Sequence, residues 1–167
     1  MTKKITFSID GKEVSAESNE TIWEVAKRQG KIIPHLCHSG EPGYRSDGNC
    51  RACMVEIKGE RVLAASCVRR PTDGMIVNIE GLRAKKARKT VLELLISDQP
   101  EQDIAHDQSS HFWKTANNQE INKSRFPKVE EAKIPLLDDS HVAMGVNLDA
   151  CIQCNLCVRA CREVQVN

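Results

Sequence analysis

Eight cysteines in a chain of 167 residues fall into two sets of four, and these are the residues whose type and spacing could do chemistry. Cys37, Cys50, Cys53 and Cys67 stand in the pattern C-x12-C-x2-C-x13-C. Cys151, Cys154, Cys157 and Cys161 stand in the pattern C-x2-C-x2-C-x3-C. One close pair, with one cysteine ahead of it and one far behind, is the layout of a plant-type [2Fe–2S] site. The first gap here is twelve residues, where the plant-type spacing has four. The second, tighter run is the bacterial pattern for a [4Fe–4S] cluster. Three cysteines at gaps of two can cup three irons of a cubane, and the fourth opens a short helix leading away. Arg162 occupies the place usually filled by proline.

Other chemistry competes at the first set. Disulfides need an oxidising compartment, and the N-terminus MTKKITFSID has no apolar signal core, so a reducing cytoplasm is expected. Zinc suits four thiolates but usually pairs two short C-x2-C knuckles, and only one is present. A Rieske centre would use two histidines, and His35 and His38 flank Cys37. Four cysteines already complete a ligand set, so these histidines read as packing or loop residues. The loop between Cys37 and Cys50 carries Gly40, Gly43 and Gly48. Glycine permits close backbone approach and positive φ, so the loop can wrap an inorganic core and aim amides at its sulfides.

Positioning such a site needs a scaffold. Ile5, Phe7 and Ile9 alternate with polar residues over 3–9, which predicts a half-buried strand, and Asp10-Gly11 predicts a hairpin returning through Lys12–Ala16. Thr21 and Glu24 form a capping box for a helix carrying Ile22, Val25 and Ala26, with Gly30 as its stop and Trp23 as a packing residue. Ile32-Ile33-Pro34 leads into the cysteine loop. Met54–Lys58 and Val62–Ser66, joined through Gly59-Glu60, and Ile76–Ile79 read as further strands. The expected class is α+β: a β-grasp [2Fe–2S] ferredoxin-like domain over 1–80, a helical linker over 81–140, and the start of a [4Fe–4S] ferredoxin-like domain over 141–167.

Residues 82–97 predict the best helix, with Ala84, Ala87, Val91, Leu94 and Leu95 on its apolar side. Its basic run, Arg83, Lys85, Lys86, Arg88 and Lys89, reads as a solvated face, with an acidic docking surface on a partner as the other reading. Residues 98–140 are polar and broken by Pro100, Pro127 and Pro135. Phe112-Trp113 should anchor a short helix on its neighbours. His106 and His111 have no cysteine beside them and are expected to bind no metal. The net charge of +1 points to neither nucleic acid nor a membrane surface, and no apolar run reaches the length of a membrane span.

The words DGNCRACMVEIKGERVLAASC (47–67) and MGVNLDACIQCNLCVRACREVQVN (144–167) closely resemble the alpha subunit of NAD-dependent formate dehydrogenase. The order of long-gap [2Fe–2S] domain, basic helix and cubane motif is also similar to the large iron–sulfur subunit of respiratory complex I and to the diaphorase small subunit of NAD-reducing hydrogenases. The resemblance covers essentially the whole chain. It implies an electron wire between a molybdopterin formate site and a flavin/NAD subunit. The pterin would lie on a remainder of the subunit, since nothing in residues 1–167 can bind one. Complex I relatives often carry a cluster held by one histidine and three cysteines after the basic helix. Residues 98–118 contain no cysteine, so that cluster should be absent.

Two further readings stay open: a free-standing ferredoxin-like carrier and a structural metal-binding module. No acid, base or nucleophile constellation of catalytic type is visible. In two-cluster ferredoxins the fourth cysteine of the compact run binds the other cluster. Either Cys161 bends back to complete one cluster, or its sulfur serves a second cluster beyond Asn167; the latter is expected.

Overall fold

The computed structural model describes residues 4–128 and 137–166. The expected strand residue Lys3 and the expected break at Pro135 lie outside them. The chain divides into two compact units, one formed by residues up to Arg88 with those from Asn155 onward, the other by Lys89–Cys154.

In the first unit, β1 (Ile5–Ile9) pairs antiparallel with β2 (Lys12–Ala16), Phe7 opposite Val14. Asp10 and Gly11 turn the hairpin at φ 48° and 81°, the positive-φ pair that a two-residue turn matching strand twist requires. The Asp10 carboxylate accepts from the amides of Ile79 and Glu80 and pairs with Lys31 at 2.7 Å, so the turn also ties down the end of the sheet. Three more strands follow: β3 (Met54–Ile57), β4 (Ala64–Ala65) and β5 (Ile76–Asn78). The sheet order is β2-β1-β5-β3-β4, with β1 and β5 parallel and the other neighbours antiparallel.

Helix α1 (Ile22–Arg28) carries the predicted capping box: Thr21 Oγ accepts from Glu24 N, and the Glu24 carboxylate accepts from Thr21 N at 2.7 Å. Gly30, at φ 73°, follows its last turn. Ile22, Trp23, Val25 and Ala26 join Phe7, Ile9, Val55, Ile57 and Val77 in one core. One helix packed on a mixed sheet of this order is a β-grasp arrangement.

Three sequence readings need correction. The strand expected over Val62–Ser66 is only Ala64–Ala65, because the chain turns immediately toward Cys67. Helix α2 (Leu82–Ser97) has its predicted bounds, but its buried stripe is Ala84, Arg88, Leu92 and Ile96, with Ser97 buried at its end, and Leu94 is exposed. The basic run is therefore not wholly solvated. Arg88 is buried, and one guanidinium nitrogen donates to the carbonyls of Met54 and Ile79. A four-residue stripe that includes arginine escapes a reading that counts apolar residues alone. The same sheet caps α2: the Glu56 carboxylate accepts from the amides of Arg83 and Ala84 at 2.8 and 3.1 Å. Gly81 makes room for it, since a Cβ there would collide with Glu56 Oε1.

In the second unit, α3 (His111–Asn118) is capped by Ser110 and buries Phe112 and Trp113, whose ring centroids lie 5.0 Å apart. An antiparallel hairpin, β6 (Leu137–His141) with β7 (Met144–Asn147), spans the expected boundary at 140/141 between the linker and the start of the [4Fe–4S] domain. Its first strand is mostly polar and carries no strand periodicity. Beyond the hairpin, a loop holds Cys151 and Cys154. The first unit also contains α4 (Leu156–Arg159), which continues into a π-helical turn over Ala160–Gln165. Among the described residues no helix is long and apolar enough to cross a membrane.

Candidate metal centre

All eight cysteines are free thiols. Cys37, Cys53 and Cys67 are buried, each 1% exposed, and Cys50 is half-buried. Their sulfurs form a chain of contacts. Cys37 interacts with Cys50 and with Cys67, and the Cys53 sulfur lies 3.4 Å from that of Cys67. Four residues spread along the chain from position 37 to position 67 thus converge on one place at the edge of the sheet.

Each arrives by a different route. Cys53 immediately precedes β3, and Cys67 follows β4. The Cys67 turn is fastened by α1: the unpaired amides at the helix start, Ile22 N and Trp23 N, donate to Arg69 O and Ser66 O at 2.9 and 3.0 Å. The buried Ser66 hydroxyl donates to Cys53 O at 2.8 Å, joining the two cysteine segments. Cys37 and Cys50 bracket the glycine loop. Gly48, at φ 65°, packs so closely on Val68 that a Cβ would meet its methyls at 3.2 and 3.3 Å.

The amides near sulfur come from the cysteines themselves and from residues beside them. Cys50 N donates to the Cys37 sulfur at 3.5 Å. Backbone hydrogen bonds from Asn49 and Cys50 favour the thiolate of Cys37, those from Ala52 and Cys37 that of Cys50, and that from Cys67 the thiolate of Cys53. The amides expected from Gly40, Gly43 and Gly48 are not among these donors.

The electrostatics of the four thiols are mutual. Thiol hydrogen bonds from Cys50 and Cys67 hold Cys37 far below the usual thiol range. The Cys67 thiol does the same to Cys53, bringing it to about 7. Cys50 and Cys67 are pushed upward in return, Cys50 by its bond to Cys37 and by burial, Cys67 by its bonds to Cys37 and Cys53. Four thiolates packed this closely repel one another, and a bound metal would supply the compensating positive charge. Among the described residues no three Cys, His, Asp or Glu side chains surround a single point as ligands of a lone ion would. A [2Fe–2S] rhomb instead takes two thiolates on each iron, so four sulfurs strung in a row with amides behind them fit it.

His35 and His38 pack edge-on against Trp23, with centroids 4.8 and 4.3 Å away, and Trp23 Nε1 donates to Ile33 O. His38 Nδ1 meets Ser46 Oγ at 2.5 Å. His111 opens α3, and His106 lies in the turns before it.

The second set is differently exposed: Cys154 is half-buried, and Cys151, Cys157 and Cys161 are exposed. Gln153 and Asn155 take positive φ, 53° and 60°, giving the tight reversals a closely spaced run of ligands needs. Cys157 lies in α4 and Cys161 in the π-helical turn that continues it.

Arg159, between them, was not singled out by sequence. It is 0% exposed. Its guanidinium donates to the carbonyls of Cys37 and Arg45, pairs with Asp47 at 3.3 Å and lies 5.9 Å from the Tyr44 ring centroid. Nothing local distinguishes it from a surface arginine on a short helix; only its docking on the distant cysteine loop does.

Residues 2–80 match the family described as "2Fe-2S iron-sulfur cluster binding domain". Over 96% of its length the chain is 34% identical to the NADP-reducing hydrogenase subunit HndD of Solidesulfovibrio fructosivorans. It is 28% identical, again over 96%, to the mitochondrial 78 kDa subunit of NADH-ubiquinone oxidoreductase from Candida albicans. It is 27% identical over 99% to the putative formate dehydrogenase YrhE of Bacillus subtilis. The chain spans 28%, 22% and 17% of those relatives' own lengths. The crystal structure of an NAD+-reducing [NiFe]-hydrogenase in the H2-reduced state superposes at TM-score 0.78 and 28% identity, covering 93% of this chain and 65% of that one.

Proposed function

We propose, from the match of residues 2–80 to the 2Fe-2S iron-sulfur cluster binding domain family, that this chain is an electron-transfer module of an oxidoreductase. The convergence of Cys37, Cys50, Cys53 and Cys67, with backbone amides behind the sulfurs, carries the reading. These four hold a [2Fe–2S] cluster, which when bound supplies a one-electron couple. The protein's part is to fix the thiolates, donate hydrogen bonds to them and keep the site largely dry; each of these tunes the potential.

Cys151, Cys154 and Cys157 hold a [4Fe–4S] cluster, and Cys161 serves a neighbouring one. The modules are the β-grasp domain over 1–80, the linker over 81–140 and the start of a [4Fe–4S] domain over 141–167. By resemblance to formate dehydrogenase, the chain relays electrons in the cytoplasm between a molybdopterin formate site elsewhere on its subunit and a flavin/NAD subunit. The higher identity to a hydrogenase subunit favours a second reading of the remote end, with hydrogen as the electron source.

The test uses the assembly purified with this chain in place. Formate should generate the paramagnetic signal of the reduced [2Fe–2S] cluster, and the assembly should contain molybdenum or tungsten. A signal raised by hydrogen and not by formate supports the second reading. A signal raised by neither, or no iron–sulfur signal with any reductant, overturns the formate wire.

A further inference from the structure

Arg159 lies two residues after Cys157 and two before Cys161, yet every partner of its guanidinium belongs to the loop of the other cysteine set. It is fully buried. A guanidinium stays charged at all accessible pH, and burying it is costly unless its fork is satisfied. Here two carbonyls accept from its two terminal nitrogens, and Nε makes no hydrogen bond but faces the Asp47 carboxylate at 3.3 Å as an ion pair. One carbonyl is that of Cys37 itself. The neighbouring contacts run the same way: Arg45 faces Glu163 at 3.8 Å, and Val164 lies where a Cβ on Gly43 would touch it at 3.4 Å.

We infer that Arg159 is a positioning residue for the [2Fe–2S] site: it locks the Cys37 loop onto the turn carrying Cys157 and Cys161, and it sets a fixed positive charge beside the cluster. The inference rests on the function proposed above. One-electron reduction adds one negative charge to the cluster and breaks no bond in the chain. A cation held nearby in a poorly solvated site favours the reduced form and raises the potential, and the Asp47 carboxylate offsets part of that effect. The two residues therefore act on the same cluster with opposite sign.

The experiment is a mediated dithionite titration of the whole iron- and sulfide-loaded chain, followed by electron paramagnetic resonance. Wild type is compared with Arg159→Gln, Arg159→Lys and Asp47→Asn. Arg159→Gln should lower the reduced-to-oxidised ratio at the wild-type midpoint by about tenfold, ~59 mV for a one-electron couple. Arg159→Lys, which keeps the charge and loses the fork, should recover most of that shift. Asp47→Asn should move the midpoint the other way. If Arg159→Gln does not load, the upward shift in Asp47→Asn decides alone. Unchanged midpoints, or shifts of one sign in both variants, overturn the inference. Wild type that gives no [2Fe–2S] signal overturns the proposed function, and this inference with it.

Discussion

The sulfur of Cys53 lies 3.4 Å from the sulfur of Cys67, with the Ser66 hydroxyl and amide both donating to the carbonyl of Cys53. One cysteine precedes β3 and the other follows β4, so the antiparallel pairing of these strands, Met54 opposite Ala65, sets the distance between two ligands. The sheet is thus part of the proposed [2Fe–2S] site, and changes that disturb its edges should be read out at the cluster.

Gly48 is the tightest point of the loop. At φ 65° an L side chain costs ~1–2 kcal/mol, and the Cβ would also press on Val68. Gly48→Ala should therefore lower stability by about that amount in urea unfolding, and more if Val68 cannot yield. An unchanged midpoint would mean that the loop is free to rearrange.

Arg88 should matter far more than its basic neighbours. Arg88→Met removes the donor shared by the carbonyls of Met54 and Ile79, at a cost of ~2–4 kcal/mol. Lys86→Ala, on the exposed face, should stay within ~0.5 kcal/mol of wild type. Equal effects of the two substitutions would restore the reading of the whole run as a solvated face.

Asp10 predicts a pH dependence. Burial raises its pKa, but Lys31 and the amides of Ile79 and Glu80 outweigh this and hold it below its ordinary 3.8. A depressed carboxylate contributes stability that is complete above the unfolded-state value and lost as pH falls through the folded one. Asp10→Asn should cost ~1–2 kcal/mol at pH 7, and the gap to wild type should close below about pH 4. A gap that persists at pH 2 would assign the effect to the turn backbone.

The elements whose signals are local were legible in the sequence. The Asp10-Gly11 hairpin, the Thr21/Glu24 capping box, the bounds of α2 and the membership of the first cysteine set all follow from neighbouring residues or from spacing. What escaped depends on distant partners. Arg88 and Arg159 each look like solvated helix arginines, and each is buried because carbonyls outside its own helix receive it. The amides near sulfur belong to the cysteines or their neighbours, of which only Asn49 follows a glycine, so the glycine content of the loop does not mark them. Strand β6, LDDSH, has no alternating apolar pattern, β7 alternates only at Met144 and Val146, and the residues of both are exposed apart from half-buried Asn147.

Cys161 separates two arrangements of the second set. If its sulfur serves a neighbouring cluster, Cys161→Ser should leave the iron content of the cubane held by Cys151, Cys154 and Cys157 unchanged, while Cys154→Ser abolishes it. Loss of a fully occupied [4Fe–4S] cluster on Cys161→Ser, followed by Mössbauer spectroscopy, would show that Cys161 bends back to complete a single cluster.

The central claim is that Cys37, Cys50, Cys53 and Cys67 hold one [2Fe–2S] cluster. The direct measurement is iron, zinc and acid-labile sulfide, with electron paramagnetic resonance of the reduced protein, on a chain in which Cys151, Cys154, Cys157 and Cys161 are all serine. The account predicts about two irons and two sulfides per chain, with a reduced-state signal that disappears on a further Cys50→Ser substitution. One zinc per chain without sulfide, or an iron–sulfur signal that survives the loss of Cys50, would contradict it.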